Sequence, residues 1–174
     1  LPALPNTSAA PVNAALPAGV ELSSQTVEIV TDIYRLTVDL KGASIVRAEL
    51  LTYPLEKKAG SANVLLLDTA PADFFVAQSG WLTKSGQNAP THEAMFQTAD
   101  GKTAYALADG QASLAVPFVW TDAASGVRLT KTLVLSRGSF TIKQVQELQN
   151  TGAAPWSGFA YEQLKRIAPP SPSK

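Results

Sequence analysis

The stretch that decides the fold is Leu114-Ala115-Val116-Pro117-Phe118-Val119-Trp120, followed after Ser125-Gly126 by Val127-Arg128-Leu129-Thr130-Lys131-Thr132-Leu133-Val134-Leu135. Leu114, Val116, Phe118 and Trp120 recur at every second residue, which in an extended chain puts them all on one face. Val127, Leu129, Leu133 and Leu135 repeat the pattern across Arg128, Thr130 and Thr132. Two such strands joined through a glycine turn read as a hairpin with one buried face. Pro117 sits on the opposite face, and its missing N–H predicts an edge strand or a bulge there.

Outward from this hairpin the period of two persists. Tyr34, Leu36, Val38 and Leu40 alternate with Arg35, Thr37 and Asp39. Further strands are expected at 26–31, 44–53, 64–68, 73–78, 104–107, 140–148 and 156–164. Lys41-Gly42, Asp100-Gly101, Asp109-Gly110, Arg137-Gly138 and Thr151-Gly152 separate them with turn chemistry. No helical stretch longer than two turns is apparent, and 82–91, with Gly86 and Pro90, reads as a long loop. The fold class is all-β, an antiparallel sandwich with few or no helices.

Residues 1–20 hold Pro2, Pro5, Pro11 and Pro17 and read as a Pro/Ala-rich tether, and 168–174 as a Pro-rich tail. The folded body is expected between them, at 21–167. The apolar share of the whole sequence, 45%, supports a core without cross-links. Fourteen basic residues balance fourteen acidic ones, so the electrostatic footprint of a nucleic-acid binder is missing. With no cysteine, thiol nucleophiles, disulfides and Cys-ligated metals are excluded. No apolar run approaches the ~20 residues of a membrane-spanning helix.

Catalytic chemistry finds little to stand on. His92 is the sole histidine, read as a solvated loop residue without the partners a triad needs. A zinc site would have to rest on carboxylates alone. Asp68, Asp73, Glu147 and Glu162 read as solvated carboxylates, and no phosphate-binding or nucleophile-elbow motif occurs. No catalytic, metal or cofactor residue is assigned. The aromatic cluster Phe74, Phe75 and Trp81 is the candidate interaction surface, because adjacent phenylalanines in a strand face opposite sides. Trp156 and Tyr161 read as sandwich core.

Several strings acquire meaning together: Thr31-Asp32-Ile33-Tyr34, Lys41-Gly42-Ala43-Ser44-Ile45, Leu50-Leu51-Thr52-Tyr53-Pro54 and Ala77-Gln78-Ser79-Gly80-Trp81-Leu82. Tyr105-Ala106-Leu107, Lys131-Thr132-Leu133, Ser136-Arg137-Gly138-Ser139-Phe140 and Tyr161-Glu162-Gln163-Leu164-Lys165-Arg166 continue the series. In this order, over about 24–166, the sequence resembles the large periplasmic domain of YidC-type membrane protein insertases of Gram-negative bacteria. Ala43 stands where that family commonly has a second glycine, an exchange expected to relax a tight turn.

The resemblance implies a β super-sandwich similar to galactose mutarotase, no cofactor, and a non-catalytic module of an inner-membrane insertase and chaperone, lying in the periplasm. It implies partnership with the Sec translocon through the SecD–SecF accessory complex, and with nascent membrane proteins, but no nucleic acid. Transmembrane helices are expected outside this sequence, and more strands beyond 174, so that a sheet edge would stand open to strand addition. A periplasmic carbohydrate-binding or mutarotase-like module is the alternative, on fold analogy alone.

Overall fold

A computed structural model describes residues 23, 25–84 and 87–168. The tether expected at 1–20 and nearly all of the Pro-rich tail lie outside these residues. The strands are β1 (Thr26–Val30), β2 (Tyr34–Asp39), β3 (Ser44–Pro54), β4 (Asn63–Leu67), β5 (Phe75–Thr83), β6 (Gln97–Thr98), β7 (Ala104–Ala106), β8 (Ser113–Asp122), β9 (Val127–Ser136), β10 (Ile142–Asn150) and β11 (Gly158–Arg166). No helix occurs among the described residues.

Two sheets form. The larger runs β11-β5-β3-β2-β1-β7, with β4 also on β3, and the smaller runs β10-β9-β8-β6. All pairings are antiparallel except β1 with β7. The alternating faces meet between the sheets: Val27, Ile29, Leu36 and Val38 from one, Val116, Phe118, Leu129 and Leu133 from the other. Each large side chain buried in this way contributes roughly 1.5–3 kcal/mol.

Every expected strand is present, and the differences have physical causes. β5 runs on past Gln78 to Thr83, since β11 pairs with it from Arg166↔Phe75 to Gly158↔Thr83. The long loop therefore begins later than the turn residues suggested. The two-residue β6 was not anticipated; no period can show in so short a segment. The Pro117 carbonyl accepts a hydrogen bond from the Ala99 N–H, so the side on which Pro117 has no N–H to donate faces the strip covered only by this stub. Trp156 and Tyr161, expected in the core, are half-buried instead. Trp156 lies just before β11 and Tyr161 within it, and β11 is the outermost strand of its sheet.

The turn between β2 and β3 also departs from expectation. Ala43 does not relax it: Gly42 (φ 74°) and Ala43 (φ 47°) are consecutive left-handed residues, and Ala43 is the only described non-glycine residue there. The side chain is held in place by burial in the main core.

Candidate functional site

On β9 the inward face reads Val127, Leu129, Lys131, Leu133, Leu135, with a lysine at its centre. Lys131 has no exposed surface. Its Nζ donates to the Gly42 carbonyl at 2.8 Å and to the Ser79 carbonyl at 2.7 Å, and stands 4.6 Å over the Phe96 ring. β9 belongs to the smaller sheet, whereas Gly42 and Ser79 belong to the turn and strand of the larger one. The amine thus fastens one sheet to the other. Burial pushes it down to about 7, against the weaker opposite pull of the Glu162 carboxylate.

The segment 90–96 closes over this clip. Its anchors are Trp81 N–H to Pro90 O at 3.1 Å, Gly42 N–H to Ala94 O at 2.7 Å, and Phe96 N–H to Leu40 O at 2.9 Å. Two glycines permit the approach. A Cβ on Gly42 would collide with the His92 carbonyl, and one on Gly80 would lie 2.6 Å from the Tyr161 hydroxyl and 2.9 Å from the Thr91 Cα. The Tyr161 hydroxyl accepts from the His92 N–H at 2.9 Å and lies 2.6 Å from His92 Nδ1. His92 Nε2 stands 3.3 Å from a Glu93 oxygen, and Glu93 pairs in turn with Lys41. The Lys41 hydrogen bond holds the Glu93 carboxyl below the usual carboxylate range. His92 is therefore not the solvated histidine its polar neighbours suggested: β11 supplies a partner from 69 residues away.

Beside the clip the sandwich opens into a cleft of about 420 Å³. Its walls include Ala77, Ser79, Leu133, Ile142, Gln144 and Leu164. Gln144 donates to Ser79 Oγ at 3.0 Å and reaches a Glu162 oxygen at 3.5 Å. The arrangement offers aliphatic surface with a few amide donors and acceptors and the Glu162 carboxylate, the composition of a binding cleft. Among the described residues no cluster of three or more metal-ligating side chains occurs.

The aromatic candidates do not form one surface. Phe74 is 4% exposed, packed with Val46 and Val76 in a satellite cluster. Phe75 is half-buried and lines a second groove, with Phe74 at its base. Trp81 lies roughly 20 Å further along β5. Its Nε1 donates to Gln146 of the other sheet at 2.7 Å, and its ring packs on Trp156 at 5.9 Å. Sequence reasoning assigns no role to Lys131, although its place in the alternation between Leu129 and Leu133 is a signal of an inward side chain.

Four of the sequence strings, around Gly42, Ser79-Gly80, Lys131 and Tyr161, thus converge on one place. Residues 26–174 match the family model described as YidC periplasmic domain. The chain belongs to that family. A membrane protein insertase YidC of Stenotrophomonas maltophilia strain R551-3 is 41% identical over 145 residues, covering 83% of this chain and 25% of the relative. The membrane protein insertase YidC of Methylococcus capsulatus is 36% identical over 171 residues, covering 98% of this chain and 30% of the relative. That of Xylella fastidiosa strain M12 is 34% identical over 145 residues. The chain spans between a quarter and a third of the length of these relatives. As a YidC periplasmic domain it contributes an all-β body, and no helix among the described residues is long and apolar enough to cross a membrane.

Proposed function

We propose that this chain is the non-catalytic, periplasmic part of an inner-membrane protein insertase, and that it receives extended apolar segments of nascent membrane proteins. The observation that carries the reading is the cleft between β5/β11 and β9/β10, aliphatic in its walls and furnished with Gln78, Gln144 and Gln163. Aliphatic surface accepts apolar side chains of any shape, and amides can pair with the backbone of an extended segment. Family membership supports the insertase setting, and association with the SecD–SecF complex belongs to the same reading by resemblance. The relatives are named insertases, which does not favour the carbohydrate alternative.

The test is site-specific photocrosslinking in the full-length insertase during insertion of a membrane protein. A photoreactive residue at Leu164, at the mouth of the cleft, is expected to capture the nascent chain. The same residue at Ala104, on the opposite edge of the sheet, is expected to capture little. Equal capture from both positions, or none from Leu164, would overturn the assignment of the cleft.

A further inference from the structure

The β3–β4 hairpin projects from the larger sheet, and every residue from 52 to 60 is exposed. It carries Tyr53 at 47%, Leu55 at 65%, Leu65 at 37% and Leu66 at 44% exposure. Large apolar side chains gathered on a projection are not needed for this core, and such a patch marks a contact surface. Beneath the hairpin lies the groove of about 610 Å³, lined by Leu55, Leu65, Leu66, Phe75, Arg166 and Ile167.

The charges around this patch lean to the positive, most of all at the hairpin tip. Lys57 and Lys58 occupy the tip beside Glu56, where Gly60 (φ 77°) turns the chain back. The Arg166 guanidinium lies 5.8 Å over the Phe75 ring and Lys165 Nζ 6.0 Å over Phe74. Asp68 is engaged by Arg47 at 3.6 Å, which leaves Glu56 and Asp73 as the remaining local carboxylates. With Asp68 and Arg47 paired off, Lys57, Lys58 and Arg166 thus stand against Glu56 and Asp73, in a chain whose net charge is zero.

We infer that the β3–β4 hairpin docks on an anionic phospholipid surface. Leu55 and Leu66 would enter the headgroup–acyl boundary, while Lys57, Lys58 and Arg166 stay level with the phosphates. Charge complementarity selects this occupant. A second copy packed on the same patch across a two-fold axis would bring like-charged tips together. The inference rests on the reading above only for the presence of a nearby membrane.

The experiment is flotation of this chain with vesicles of phosphatidylcholine and phosphatidylglycerol at 3:1, at low ionic strength. Partition is expected, and Lys57→Gln with Lys58→Gln should weaken it about 30-fold. Leu55→Ser with Leu66→Ser should weaken it at least about tenfold. All four side chains are exposed, and circular dichroism checks that each variant keeps the wild-type strand signal. Pure phosphatidylcholine should bind as weakly as the lysine variant. No partition onto the anionic vesicles, or partition unchanged in either variant, overturns the inference. A dimer seen by sedimentation equilibrium, lost in the leucine variant and without vesicle binding, would assign the patch to a second copy. The assay contains no client polypeptide, so its failure leaves the cleft reading untouched.

Discussion

Replacing Lys131 by Met would remove the amine and keep most of the side-chain volume. The native amine titrates near 7 because burial disfavours its charge, whereas in the unfolded chain it titrates near ~10.4. Between those values the unfolded state holds one more proton than the native state, so stability must rise with pH. This is the sign expected for a cation whose folded pKa is depressed: the destabilisation is full below about 7 and fades as pH climbs towards the unfolded value. From pH 6 to pH 9 the integrated gain is roughly 2–3 kcal/mol for the wild type and near zero for Lys131→Met. Among the groups with shifted pKa, Lys131 alone changes charge in this interval. The carboxyls of Glu93, Asp100 and Asp122 are held low, and the Tyr34 and Tyr105 hydroxyls are raised from 10.0. The substitution also strands the carbonyls of Gly42 and Ser79, at a cost of about 1–3 kcal/mol each when they are kept from water. The variant should therefore be clearly less stable than wild type at pH 9, with the gap narrowing or closing at pH 6. Urea unfolding followed by tryptophan fluorescence at pH 6, 7, 8 and 9 measures both curves. A flat wild-type profile, or an equal slope in Lys131→Met, would refute the buried-clip reasoning.

Other substitutions probe the same neighbourhood. Gly80→Ala is expected to cost about 1–3 kcal/mol by pressing a methyl against the Tyr161 hydroxyl and the Thr91 backbone. Tyr161→Phe should cost roughly 1 kcal/mol through the lost His92 hydrogen bonds, and a double-mutant cycle with Gly80→Ala should show coupling. Ala43→Val should lower the denaturation midpoint by the equivalent of about 2 kcal/mol, since a β-branched residue resists φ 47°. Phe74→Ala should cost about 3–5 kcal/mol by emptying its satellite cluster, and Phe75→Ala distinctly less; equal losses would contradict their different burial.

The fold was legible because a strand writes its buried face into adjacent positions. Leu36 and Val38, or Leu129 and Leu133, need no distant partner to announce an inward side. The site was not legible for the opposite reason. His92 lies in a polar loop, and only the fold brings Tyr161 of β11 to its ring. Phe74 and Phe75 are chemically alike, and the choice of which one is covered depends on Val46, Val76 and Ile167 closing over one side of β5. Lys131 is a polar residue whose parity with Leu129 and Leu133 places it inward.

The sequence alone determined the all-β class, every strand but β6 and the family resemblance, since alternation, turn residues and ordered strings are local properties of a chain. Only the tertiary structure decided that Gly42, Ser79, Lys131 and Tyr161 share one site, that the sandwich opens beside them, and that the β3–β4 hairpin stands clear of the sheet. Those facts depend on strand order and on the crossing between sheets. Both are set by which faces bury each other across long separations, and no window of neighbouring residues contains that information.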